Sequence, residues 1–138
     1  MSKKVALVTG SSKGLGKVIV QKLAESGIKV IINYSSNQEK AEAVVHDIQE
    51  LGGEAVAIQA DITDQKDVEK LVAVSRETFQ QPIDILANNA TGPQPEFSLE
   101  EVSWEDYLDQ LHFTVKAPLL LLKEVMEPMK EKKVGAHY

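Results

Sequence analysis

The chain has 138 residues, 43% hydrophobic and 26% charged, enough for one buried core and too few for two ordinary domains, so a single domain over residues 1–138 is expected. Its formal net charge of −6 argues against a nucleic-acid partner, and the lack of cysteine excludes disulfides, thiolate catalysis and zinc–cysteine sites while fitting a reducing, cytoplasmic compartment. No apolar run approaches the roughly 18–20 residues that span a bilayer, and the apolar stretch after Met1-Ser2-Lys3-Lys4 stops at Gly10, short of a secretion signal, so a soluble protein with no membrane or metal partner is expected.

Val5-Ala6-Leu7-Val8 is a continuously apolar run ending in Thr9-Gly10, the pattern of a strand buried on both faces. From Gly14, residues Leu15, Val18, Ile19 and Leu23 form a helical stripe that stops at Ser26-Gly27. Val30-Ile31-Ile32 reads as a second strand. A second helix follows from Gln38 to Leu51, with Ala41, Val44, Val45, Ile48 and Leu51 at helical spacing, and closes on Gly52-Gly53. Ala55-Val56-Ala57-Ile58 is a third strand, the stretch from about Gln65 to Phe79 a third helix (Val68, Leu71, Val72, Ser75), and Pro82 leads into a fourth strand, Ile83–Ala87. This alternation predicts an α/β fold, a parallel sheet in the order 3-2-1-4 with right-handed crossovers and helices on both faces.

Thr91-Gly92-Pro93-Gln94-Pro95 then reads as an irregular loop, and Ser103-Trp104-Glu105-Asp106 opens a long helix to about Lys132. Pro118 has no N–H to donate to the Thr114 carbonyl, so a kink is expected there. The sheet is expected to end at the fourth strand. Leu111, Val115, Leu119, Leu122, Val125, Met126 and Met129 would then be incompletely buried, which predicts a homo-oligomer formed through this helix and the open sheet edge.

The strongest chemical signal is Thr9-Gly10-Ser11-Ser12-Lys13-Gly14-Leu15-Gly16, set between the first strand and the first helix. A glycine-rich turn at that place lets backbone approach a diphosphate, with the helix amides and positive pole facing the anion; Gly10, Ser12, Lys13, Gly14, Leu15 and Gly16 are the candidate contacts. The competing reading is a helix-opening loop without a ligand. After the second strand comes Asn33-Tyr34-Ser35-Ser36-Asn37, with no acid before Glu39. A carboxylate there would accept from a ribose and repel a 2′-phosphate. Its absence, with Lys13 as a point charge and Tyr34, Ser35, Ser36 and Asn37 alongside, favours a nucleotide that carries a 2′-phosphate over one that does not, unless Lys13 is only a surface lysine. Asp61-Ile62 follows the third strand, where Asp61 is either a ligand acceptor or a helix cap competing with Thr63 and Asp64, and Asn88-Asn89-Ala90-Thr91 ends the fourth. His112 and His137 have no placed partner and are assigned no role.

The form Thr9-Gly10-x-x-x-Gly14-x-Gly16 resembles that of the short-chain dehydrogenase/reductase family, and Lys29–Glu39 most resembles the bacterial 3-oxoacyl-acyl-carrier-protein reductases. The resemblance, which covers essentially the whole chain, implies a Rossmann-like fold with a nicotinamide cofactor across the strand ends, for which the 2′-phosphate preference means NADP(H) over NAD(H). It implies that Asp61 receives the adenine amino group with Ile62 beside it, and that Asn88, Asn89 and Ala90 support the sheet and line the cofactor ribose, Thr91 standing where the family has glycine. It further implies reduction of a ketone or 3-oxoacyl group by hydride from NADP(H), with a 3-oxoacyl thioester as candidate substrate. Thr114 falls at the family's helix asparagine, whose backbone carbonyl holds a relay water. The family's proton donor is a tyrosine with a lysine four residues on, assisted by an upstream serine. Tyr34 and Tyr107 are followed at that spacing by Gln38 and Leu111, and Tyr138 is the last residue. The expectation is therefore a Rossmann-like half, truncated after the fourth strand and the long helix, with the catalytic half missing and no turnover of its own. The alternative is a non-catalytic nucleotide-binding or interaction module.

Overall fold

The computed structural model describes residues 3–90, 103–132 and 136–137. Five parallel strands, β1 (Val5–Val8), β2 (Lys29–Tyr34), β3 (Ala55–Gln59), β4 (Ile85–Ala87) and β5 (Ala136–His137), form one sheet in the order β3-β2-β1-β4-β5. Between them run α1 (Gly14–Glu25), α2 (Gln38–Glu50), α3 (Gln65–Phe79), α4 (Trp104–Leu111) and α5 (Ala117–Lys132), the last two joined by a π-helical turn, His112–Lys116.

The strand pleat divides the core into two. Val5, Leu7, Ile31 and Leu86 point to one face, where Val68, Leu71 and Val72 of α3 and Ala117, Leu121 and Val125 of α5 cover them. Ala6, Val8, Val30, Ile32 and Tyr34 point to the other, against Val20 of α1 and Ala41, Val44, Val45 and Ile48 of α2. The central strand β1 is wholly buried, and each large apolar side chain withdrawn from water contributes about 1.5–3 kcal/mol. Gly27 (φ +86°) and Gly52 (φ +87°) close α1 and α2 in the left-handed conformation that the sequence assigns to their ends.

Four features depart from the sequence expectation. The sheet does not stop at β4: Ala136 and His137 pair with Ile85 and Leu86, so a fifth strand covers part of the β4 edge. Two residues between helix and chain end carry no periodicity for a sequence reading to detect. β4 begins at Ile85, because Asp84 is a side-chain link to β1: Val5 N–H donates to Asp84 Oδ2 (2.9 Å) while Asp84 N–H donates to Val5 O (2.9 Å). On α1 the buried face runs through Gly16 and Val20, with Leu15 68% and Val18 50% exposed, since Gly16 must meet the backbone beneath it. The long helix is broken one turn ahead of Pro118 by the π-turn, closed by Ala117 N–H donating to His112 O. On it Leu111, Val115, Leu119 and Met126 are exposed as expected, whereas Val125 is buried in the core and Leu122 packs against it.

Candidate functional site

The carboxyl ends of β1, β2, β3 and β4 converge on the glycine loop, which fixes where a ligand would lie. Thr9 is buried and its Oγ1 accepts from Asn89 N–H and Ala90 N–H, both at 3.0 Å, while Thr9 N–H donates to Ala87 O (3.1 Å). Asn89 Nδ2 donates in turn to Gly10 O (3.1 Å). The ends of β1 and β4 are thus laced together by Thr9 and Asn89. Gly10 (φ +61°) lies so close to this seam that a Cβ on it would sit 2.9 Å from Ala90 Cα.

The loop amides divide into two sets. Gly10 N–H donates to Asn33 Oδ1 (3.3 Å) and Ser11 N–H to Asn33 O (3.1 Å), so both point inward to β2. Ser11 Oγ is also committed, donating to Val8 O (2.7 Å). Among the described residues the next five amides, Ser12 to Gly16, donate to no protein acceptor. Nor is the start of α1 quenched by an acid: its first turn has none, and its N-cap, Lys13, makes no side-chain cap. By contrast α2 carries Glu39 in its first turn and is capped by Asn37 Oδ1, which accepts from Lys40 N–H (3.1 Å). Five donors without an acceptor among the described residues, at a positive pole with no side-chain cap, have the chemistry that an anion would meet. Gly14 (φ +59°) has open space at its Cβ position, and Lys13 and Leu15 are exposed beside it.

Ser35 and Ser36 are exposed just past β2, and Gln59 Nε2 donates to Ser35 O (2.9 Å), bracing that turn. The Tyr34 side chain instead belongs to the core, and its carbonyl accepts from Ala60 N–H (3.0 Å). Asn37 spends its oxygen on α2, leaving only its amide N–H groups as donors. Asp61 Oδ1 accepts from Thr63 Oγ1 (2.6 Å) and Thr63 N–H (2.9 Å), and Asp61 N–H donates to Asp67 Oδ2 (2.8 Å). Asp61 is therefore a turn residue, and Asp64 holds the N-cap position of α3 without a side-chain cap. The Thr63 hydroxyl and then its amide hold the Asp61 carboxyl below the usual carboxylate range; Lys116 and His112 of the π-turn add to this against the opposing effect of burial. Ile62 is buried in the core. Asn88 is exposed at the end of β4, and Thr114 is exposed on the π-turn; Thr91 lies outside the described residues. Asn33 and Thr9, which organise the loop, are residues the sequence reading passed over. Two polar side chains flanking an apolar strand end are the signal that would have found them.

A separate cavity of about 410 Å³ opens at the opposite end of the sheet, between the carboxyl ends of α1 and α2, bordered by Ala24, Ile28, Ile48 and Leu51. It shares no residue with the glycine loop.

A parallel sheet with the order 3-2-1-4 at its centre and an anion-ready loop between β1 and α1 defines the Rossmann class of nucleotide-binding folds. The short chain dehydrogenase family model matches residues 4–136, and the chain belongs to this family of oxidoreductases. It is 36% identical over 135 residues to the 3-oxoacyl-[acyl-carrier-protein] reductase of Synechocystis sp., covering 98% of this chain and 54% of that protein. It is 42% identical over 132 residues to an uncharacterized oxidoreductase of Thermotoga maritima, covering 96% of this chain and 51% of that one. The chain thus spans about half the length of these curated relatives. Among solved structures, a metagenomic short-chain oxidoreductase in complex with NADP superposes with a TM-score of 0.90 at 28% identity, over 99% of this chain and 61% of that one.

Proposed function

We propose that these residues form the NADP(H)-binding half of a carbonyl reductase, in which hydride passes from the nicotinamide to a ketone or 3-oxoacyl group. The run of five amides, Ser12 to Gly16, without an acceptor among the described residues at the start of α1, where no side chain caps the helix, carries this reading. Lys13 and the exposed Ser35 and Ser36 supply the surroundings of a 2′-phosphate, with no carboxylate before Glu39 to repel it. Asp61 would accept from the adenine amino group, its carboxyl held ionised by Thr63. Asn89 and Ala90 would support the ribose side through their ties to Thr9, with Asn88 beside them. The cofactor supplies the hydride; the chain binds it, orients it and fixes its phosphates.

No Tyr-x-x-x-Lys occurs in the 138 residues, so cofactor binding without turnover is the expected behaviour of this chain. The alternative, a nucleotide-binding module with no catalytic role, rests on the same inventory. A fluorescence titration with NADPH and NADH, repeated on Lys13→Ala, tests the reading. NADPH should bind more tightly than NADH, and the substitution should weaken NADPH about tenfold with little effect on NADH, as expected for one charge-assisted contact. No binding of either nucleotide would overturn it. Oxidation of NADPH with a 3-oxoacyl thioester would remove the no-turnover clause.

A further inference from the structure

Asn33 is a polar side chain directly after the buried apolar run Val30-Ile31-Ile32 of β2, 2% exposed and with both ends of its amide engaged. Its Oδ1 accepts from Gly10 N–H at 3.3 Å, and its Nδ2 donates to Ala60 O at 3.3 Å and Ile58 O at 3.5 Å. Its backbone oxygen takes Ser11 N–H as well. One side therefore holds the first two residues of the loop whose following five amides face outward. The other holds the end of β3, immediately before Asp61. The chemistry of the partners dictates the side chain: an N–H on one side demands an acceptor, and two carbonyls on the other demand a donor. A neutral amide satisfies both. A carboxylate would set its second oxygen against two carbonyl oxygens, and an aliphatic side chain would leave Gly10 N–H buried without its partner.

We propose that Asn33 is a positioning residue that fixes the separation between the diphosphate loop and the adenine end of the site. The proposal rests on the nucleotide-binding reading above. Asn33 touches no ligand; it acts through Gly10 and Ala60. Its removal should leave each subsite formed but let their spacing drift, so a ligand that spans both loses affinity while a ligand confined to one does not. A purely structural role would lower the melting temperature and weaken every ligand in proportion.

The test compares NADPH with adenosine, which reaches the Asp61 end but has neither diphosphate nor 2′-phosphate to meet the loop. For Asn33→Ala, NADPH should weaken about tenfold while adenosine stays within about twofold, one or two lost hydrogen bonds being worth that factor. Asn33→Ser, whose hydroxyl can keep one of the contacts, should fall between parent and alanine variant, and it decides the matter if Asn33→Ala does not fold. NADPH affinity unchanged in the variants, or NADPH and adenosine weakened by one common factor, would overturn the proposal. Failure of the parent chain to bind NADPH would instead strike the nucleotide-binding reading, and this inference would fall with it.

Discussion

At Gly16 the packing of α1 and the proposed phosphate site meet in one atom. A Cβ there would lie 2.5 Å from Asn89 Nδ2, 2.6 Å from Gly10 O and 2.9 Å from Ser11 Cα, two of them backbone atoms with nowhere to go. Gly16→Ala must therefore lift α1 off the loop or break the Asn89–Gly10 hydrogen bond. Overpacking of this kind costs about 1–3 kcal/mol, so a lower melting temperature together with lost NADPH binding is expected; a variant that melts and binds like the parent would show that the loop is not built this way. Asp61 gives a prediction in pH. Its folded carboxyl is held low, first by the Thr63 hydroxyl and then by the Thr63 amide, so the stability it contributes is present above its unfolded value and is lost as pH falls through the folded one. Between pH 5 and 8 it stays ionised and gives no slope. Thr63→Val removes the 2.6 Å donor, and the Asp61 titration followed by carbon NMR should move up toward the ordinary aspartate range; an unmoved midpoint would assign the depression to some other group.

At the scale of elements, α4 and α5 leave an apolar stripe in water. Trp104, Leu108, Leu111, Val115 and Leu119 recur every three or four residues across the π-turn, Met126 follows seven residues on, and Val115 is 58% exposed. The other side of α5 is committed to the core through Ala117, Leu121 and Val125, so the helix cannot roll to hide the stripe. We propose that the stripe is covered by a second copy of the chain, because burying side chains of this size contributes about 1.5–3 kcal/mol each. Sedimentation should show an associated species that Val115→Lys with Leu119→Glu dissociates; a parent chain that runs as a monomer at all concentrations would refute this. Periodicity made these elements legible in the sequence: β1, β2 and β3, the buried faces of α2 and α3, and the glycine closures at Gly27 and Gly52 stand where apolar spacing and turn chemistry place them, except that Leu51, expected on the apolar face of α2, lies just past its end and is 83% exposed. What escaped has other causes. β5 is two residues long, β4 is shortened because a carboxylate takes the place of a ladder acceptor, and the outward turn of Leu15 and Val18 follows from a contact made by Gly16 with residues far along the chain. None of these leaves a local signature. Asn33 does carry a local mark, a polar residue closing an apolar strand, but its role appears only once β3 and the loop lie on either side of it.

At the scale of the whole molecule, the loop, the turn after β2 and the Thr63-braced Asp61 come from separate elements and meet only because β1 is the central strand of the folded sheet. A nucleotide bridging them binds the folded chain and not the unfolded one, so it must add stability through linkage. At a concentration one hundred times its dissociation constant, NADPH should contribute about 2.7 kcal/mol. For a domain of this size that corresponds to a rise in melting temperature on the order of 10 °C. NADH at the same concentration should give a smaller rise, because it lacks the phosphate that Lys13, Ser35 and Ser36 are placed to meet. Lys13→Ala should shrink the difference between the two nucleotides while leaving the unliganded melting temperature nearly unchanged, since an exposed lysine with no ion pair among the described residues holds nothing in the fold. Equal shifts from NADPH and NADH in the parent chain would remove the basis for cofactor preference. No shift from either would mean that the five outward amides, although unsatisfied within the described residues, do not hold a nucleotide in this chain.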